Sequence, residues 1–210
     1  MFNKLILVLI WLGMTGAMAN AQTHSVSELG LLLGAPVTPE LNSSIQPGRI
    51  SFGSGVTFQA TFAHRLARLK TAAIYFELPF ATAPNIPVSS DNRAVPANYA
   101  SLFVTPGVRL KFRPNAKIAP WLAAGGGYAR FDESAEQQNG LANPGRIGAN
   151  RGAAQFGGGA DFHTPIKVFF PINLRVEIRD FYSGKPNYNL PTGGGFQHNL
   201  LFSGGLVVSF

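Results

Sequence analysis

Eight stretches of this chain alternate apolar and polar side chains with a period of two, at about 26–34, 51–63, 71–81, 99–112, 118–131, 152–163, 171–182 and 198–210. That period marks strands with one face in an apolar phase. The connections are alternately long and short. Ala35 to Ile50, Thr82 to Asn98, Asp132 to Arg151 and Ser183 to Gln197 are long, while His64 to Lys70, Arg113 to Lys117 and Thr164 to Phe170 are short. An even number of strands joined in this rhythm closes into an antiparallel up-and-down barrel, with the short turns at one end and the long loops at the other. A soluble sandwich has no reason to alternate so regularly.

The first residues say which solvent surrounds such a barrel. Lys4, the apolar run Leu5 to Met14 and the small residues Ala17-Met18-Ala19-Asn20-Ala21 form an export leader with two A-x-A cleavage sites. The expected division is a signal peptide at 1–21 and a barrel at 22–210. No later stretch approaches the ~20 apolar residues that a transmembrane helix needs. Only 13% of the residues are charged, against roughly 25% in ordinary soluble domains. The 24 glycines and 17 phenylalanines suit close strand contacts and greasy walls, and the absence of cysteine excludes thiolate chemistry and disulfide staples. Of the 17 lysines and arginines one is Lys4, which leaves 16 against 10 acids. A basic balance can signal nucleic acid, but no Lys/Arg run or recognition motif is present and the leader directs the chain out of the cytoplasm.

Parity divides each strand into two faces. Leu29, Leu31 and Leu33, then Val56, Phe58, Ala60 and Phe62, then Ala72, Ile74, Phe76 and Leu78 fall on one face. Leu102, Val104, Val108 and Leu110, then Ile172, Leu174, Val176 and Ile178 continue it. None is charged, as a lipid-facing surface requires, since Lys or Arg at mid-membrane costs ~2–4 kcal/mol. The other face collects Glu28, Gln59, Glu77, Arg109, Lys111, Asp161, His163, Asn173, Arg175, Glu177 and Arg179. Among these, the acids Glu28, Glu77, Asp161 and Glu177 balance the bases Arg109, Lys111, Arg175 and Arg179. An eight-stranded barrel is just wide enough to be filled by its own side chains, so the set is expected to form an ionic plug. Gly125-Gly126-Gly127 erases the parity of the fifth strand. Phe80, Tyr99, Phe131 and Tyr182 toward the long loops, and Phe62, Phe112, Phe169 and Phe210 toward the short turns, read as interfacial girdles.

The last strand carries apolar or glycine positions at Leu200, Phe202, Gly204, Leu206, Val208 and Phe210. With the stretch Pro120 to Tyr128 and the charged lumen, it resembles the eight-stranded outer-membrane barrel family typified by the transmembrane domain of outer-membrane protein A. The resemblance spans the chain after the leader. It implies the bacterial outer membrane, and recognition of Phe202, Leu206, Val208 and Phe210 by the barrel-assembly machinery. Unlike the two-domain members of that family, the chain is expected to carry the barrel without a periplasmic peptidoglycan-binding domain, so anchoring to the cell wall is not implied.

Some barrels of this size are enzymes on lipid A, and a deacylase among them carries His-x-Ser on one strand face so that the imidazole can deprotonate the hydroxyl. No His-x-Ser occurs here: His198 precedes Asn199 and Leu200, and His163 precedes Thr164. His163 with Asp161 forms an acid/base pair, half a metal site or a lumen hydrogen bond, and His24 falls in the tail after the leader. Gly125-Gly126-Gly127 and Gly157-Gly158-Gly159 precede no helix and read as sites of close strand packing, not phosphate loops. No cofactor or metal is expected.

The expected role is that of a non-enzymatic, structural or surface-interaction barrel, with an extracellular ligand met by its loops, above all Thr82 to Asn98 and Asp132 to Arg151, read as mobile surfaces. A conduit for small hydrophobic molecules is the first alternative and a lipid-A-modifying enzyme the second. The expected surroundings are outer-membrane lipids and lipopolysaccharide, whose phosphates Arg49, Arg93, Arg146, Arg151 and Lys185 could meet; the alternative for these five is ordinary solvated loop charge. The bases of the short turns read as snorkelling toward anionic headgroups, or as a surface for a soluble periplasmic partner.

Overall fold

A computed structural model describes residues 26–42, 49–91, 93–145, 148–186, 188–189 and 195–210. The leader, His24 and Arg146 lie outside the described residues. The chain forms β1 (Ser27–Val37), β2 (Leu41–Asn42), β3 (Arg49–Phe52), β4 (Thr57–Arg68), β5 (Ala72–Ser90), β6 (Asn98–Val104) and β7 (Gly107–Phe112). It continues through β8 (Ile118–Glu133), β9 (Gly148–Lys167), β10 (Pro171–Gly184), β11 (Phe196–Gln197) and β12 (Leu200–Ser209). No helix among the described residues is long and apolar enough to cross a membrane; the crossing is made by strands.

Each stave pairs antiparallel with its sequence neighbour, and β1 pairs with β12 from Glu28↔Ser209 to Val37↔Leu200, which closes the sheet into a barrel. The staves are β1, β4, β5, the β6/β7 pair, β8, β9, β10 and β12, eight in all. β6 and β7 are two halves of one stave, broken at Thr105-Pro106. Both halves lie between β5 and β8. The break falls where β5 carries Pro79, which has no N–H to donate. On the other side β8 supplies Gly125-Gly126-Gly127. A Cβ at Gly127 would lie 2.2 Å from the Val104 carbonyl oxygen, and one at Gly107 would lie 2.2 Å from that of Ala124, so the wall closes around the break only with bare backbone.

The assigned parity appears as an exposed apolar belt that includes Leu31, Leu33, Phe58, Phe76, Val108, Leu174, Val176 and Phe202. Ala72 alone of the expected outward set is buried. The fifth span, which the sequence left without a parity, turns Ile118, Leu122 and Tyr128 outward and Trp121, Ala123, Ala129 and Phe131 inward. On that stave the apolar run stops at Tyr128, and the next outward residues are Arg130 and Asp132, joined by an ion pair of 2.7 Å.

Several expectations are corrected at the long-loop end. The second stave begins at Thr57, not 51; Ser51 and Phe52 belong to β3, which pairs with the overhang of β5 (Ile50↔Ser90, Phe52↔Val88). β5 runs to Ser90 and β9 starts at Gly148, so both stand well beyond the belt. Thr82 to Asn98 is therefore not a mobile surface throughout: Ala83, Ile86, Val88 and Val95 are buried. Tyr99 and Phe131, expected in the outer girdle, lie inside the barrel with 1% and 0% exposure. Prolines at 84, 87 and 96 and a register shift between Ala83 and Ile86 mask the alternation in the sequence.

Candidate functional site

The lumen has two storeys. The inner one, toward the short turns, is built around Trp121 of β8, itself 1% exposed. Guanidinium carbons of Arg109 (β7), Arg179 and Arg175 (both β10) stand 4.9, 5.0 and 5.2 Å from the indole ring centroid. Cations over an aromatic face are held by its quadrupole, and more firmly where water is excluded. Room for this cluster comes from β9, where glycine occupies inward positions: a Cβ at Gly159 would lie 2.8 Å from the indole, and one at Gly157 2.8 Å from Arg179. The second glycine triplet is thus a recess in the wall.

Carboxylates from four other positions interleave with the cations. Glu28 (β1) accepts from Arg109 at 2.9 Å, from Arg175 at 3.1 Å and from Lys111. Asp161 (β9) takes both Nε and Nη2 of Arg175 at 2.6 and 2.8 Å, and Lys111 Nζ at 2.7 Å. Glu77 (β5) bridges Arg109 and Arg179. Glu177 binds Arg179 at 2.7 Å and also accepts from the amide of Gln59 (β4). All eight named charges are buried and meet in one network. Burying them without partners would cost several kcal/mol per ion; the paired geometry offsets that. Arg109 Nη2, Arg175 Nη1 and Trp121 Nε1 have no hydrogen-bond partner among the described residues.

The outer storey is apolar. Tyr99, Phe103, Phe131, Phe181 and Tyr188 pack with Ile50, Ile86, Val88, Val95 and Leu201. Phe103 stacks on Phe181 at 4.6 Å and meets Phe131 edge-on at 5.8 Å, while Tyr99 and Tyr188 meet edge-on at 5.7 Å. Phe52 of β3 covers Tyr188 at 5.4 Å. One carboxyl is buried beside this cluster, Glu133 at 5% exposure, and burial pushes its pKa up to about 7.

Other expected residues are not gathered. His163 is exposed at the short-turn rim and does not share the network of Asp161, which is taken by Arg175 and Lys111. Arg49 pairs with Glu40 at 3.2 Å on the surface, and Arg93 is exposed with φ 53°. Arg151 and Lys185 do meet, Arg151 Nε donating to the Lys185 carbonyl at 2.9 Å. Phe202 and Leu206 are half exposed on the outer face, with Val208 and Phe210 partly covered beside them.

One pairing escaped the sequence: His198 Nδ1 lies 2.5 Å from Asp180 on the outward face, with His198 tilted against Tyr182 at 4.9 Å and Tyr182 stacked on Phe196 at 5.0 Å. Asp180 and His198 are 18 residues apart across a long loop, so only the register of β10 against the β11–β12 segment reveals the pair. No serine or threonine hydroxyl is bonded to His198 among the described residues, and no group of three or more metal-ligating side chains occurs among them.

The same fold occurs in solved outer-membrane proteins. Neisserial surface protein A superposes with a TM-score of 0.54 at 14% identity, over 90% of this chain and 100% of that one. The outer membrane protein OprG from Pseudomonas aeruginosa gives 0.53 at 11% identity, over 89% and 97%. The outer membrane protein AlkL, solved in DMPC lipid bilayers, gives 0.51 at 12% identity, over 91% and 94%. No protein-family model and no curated protein matches the chain. The likeness is one of fold: an all-β, eight-stranded antiparallel barrel of the bacterial outer-membrane kind, as these small barrels are.

Proposed function

We propose that this barrel is a non-enzymatic component of the outer membrane that passes no solute and acts through the capped surface at its long-loop end. The observation that carries this is the filled lumen: Arg109, Arg179, Phe131 and Phe181 are each 0% exposed, two in the inner storey and two in the outer. Short turns face the periplasm in membrane barrels and long loops face out, so the sheet extension of β2, β3 and β5, which covers the aromatic storey, belongs to the external surface. Planar-bilayer conductance of protein already shown to be folded tests the reading. Rare or absent openings are expected; a steady ohmic current overturns the plug and puts transport first.

The conduit for small hydrophobic molecules draws support from the apolar outer storey, but the eight buried charges below it oppose passage. The Asp180–His198 pair is the observation that favours an enzyme, and it lacks a nucleophile. Lipid A from cells producing the protein should therefore keep its mass, and His198→Asn should change nothing. Phe202, Leu206, Val208 and Phe210 are proposed as the signal read by the assembly machinery. Phe210→Ala should lower the assembled fraction in cells several-fold while costing the refolded protein only the ~0.5–1.5 kcal/mol of its ring contact with Phe170. Arg151 and Lys185 are the proposed pair for lipopolysaccharide phosphate.

A further inference from the structure

Every charge outside the leader falls in one of three tiers. The lumen holds four acids and four bases in one network. The long-loop end carries Glu40, Asp91, Asp132, Glu133, Glu136 and Asp180 against Arg49, Arg93, Arg130, Arg151, Lys185 and, by sequence, Arg146. What remains is Arg65, Arg68, Lys70, Arg113, Lys117 and Lys167, all on the short turns or the strand ends that enter them, with no acid between them. The two other tiers are neutral, so the whole net positive charge of the barrel sits on its periplasmic rim.

These bases form a continuous arc. The β4–β5 and β7–β8 turns adjoin, because Arg113 N–H donates to the Thr71 carbonyl at 2.8 Å. The β7–β8 turn adjoins β9 through His163 N–H on the Lys117 carbonyl at 2.9 Å, and β9 leads to Lys167. Arg113 holds its place at φ 46°, a left-handed conformation that favours Gly or Asn. Arg68, Lys70, Arg113, Lys117 and Lys167 are exposed, and none makes an ion pair among the described residues.

Apolar tips stand between the bases. Leu66 and Leu69 are 62% and 51% exposed, and Val168 and Phe169 at the tip of the β9–β10 turn are 69% and 85% exposed. Behind them Phe170 is braced on Phe210 with ring centroids 5.8 Å apart. A soluble acidic partner would be met by the bases alone. Bases alternating with exposed leucine and phenylalanine, directly below a lipid-facing belt, match the boundary between headgroups and acyl chains.

We propose that this rim is a binding collar for anionic phospholipid of the inner leaflet, recognised by phosphate and glycerol headgroups on Arg68, Lys70, Arg113 and Lys117, with Leu69 and Phe169 dipping among the acyl chains. Each base near an anionic surface contributes enough for about a fivefold preference.

The test uses the full barrel in nanodiscs of phosphatidylcholine holding a minor share of phosphatidylglycerol, about one lipid in ten so that the ~1 kcal/mol per base can show, with native mass spectrometry counting the lipids retained. Phosphatidylglycerol should be enriched about fivefold or more over its share of the bilayer. The variant Arg68→Gln/Lys70→Gln/Arg113→Gln/Lys117→Gln should lose that enrichment, while Arg49→Gln/Arg93→Gln at the other end should keep it. Absence of enrichment in the unaltered chain overturns the proposal and leaves a soluble anionic partner to be sought; enrichment that survives in the rim variant overturns it too. Should the rim variant not fold, the unaltered chain decides. Adding phosphatidylglycerol to phosphatidylcholine vesicles must raise its urea midpoint, and the gain must vanish at ~1 M salt, where the Debye length is ~3 Å. A midpoint indifferent to either change counts against the collar.

Discussion

Leu174 and Arg175 are neighbours that face opposite phases, and they show how much one position of parity decides. Leu174 is 49% exposed in the belt, while Arg175 is buried with both Nε and Nη2 on Asp161. Leu174→Lys should block insertion into vesicles, since a lysine at that depth costs ~2–4 kcal/mol. Arg175→Gln should insert and then unfold at lower urea, by ~3–5 kcal/mol, because Asp161 and Glu28 each lose a partner. Trp121 is the only tryptophan outside the leader, so its fluorescence follows the unfolding of the unaltered chain and of Arg175→Gln alike. Glu133 gives the cap a dependence on pH. Folded, it keeps its proton up to about 7, whereas the ordinary glutamate value is 4.5. The folded cap therefore binds more protons between those values, and its stability falls as pH rises from 4.5 toward 7. Amide protection around 132–143, corrected for intrinsic exchange, should decline over that interval, and Glu133→Gln should abolish the decline.

Strands and their faces were legible because period two is a local property: a few residues suffice to assign a face, and Leu29 to Leu33 or Ile172 to Ile178 needed nothing else. What is set between strands was not legible. The break at Thr105-Pro106 lies inside a stretch read as one span, and only its neighbours Pro79 and Gly125 to Gly127 reveal it, from 19 or more residues away. The packed cap was hidden for a related reason. Within β5 the alternation slips between Ala83 and Ile86, where the pairing with β6 shifts, and resumes at Ile86 and Val88; prolines interrupt it as well, and nothing local distinguishes a strand above the membrane from a loop. Which base meets which acid is likewise a matter of register: Glu28 draws partners from both β7 and β10. Gly127→Ala would push a Cβ into the Val104 carbonyl, and should destabilise the barrel by ~1–3 kcal/mol. The equally exposed Gly152, whose Cβ would meet nothing within 4 Å, should accept alanine without loss in the same urea titration.

Seen whole, the molecule is a neutral shaft with a neutral head and a basic foot, and its closed wall leaves no free edge at the β1–β12 seam. The ionic storey also has a meaning in time. Its hydrogen bonds join residues 147 apart from Glu28 to Arg175, 118 apart from Gln59 to Glu177, and 102 apart from Glu77 to Arg179. None of these can form while the chain is half threaded, because the partners arrive with the last staves. A slip of one residue along any seam would turn its charges toward hydrocarbon. The buried charges thus act as a lock that accepts a single key, the completed ring, and a chain offered in any other alignment finds the bilayer itself refusing it.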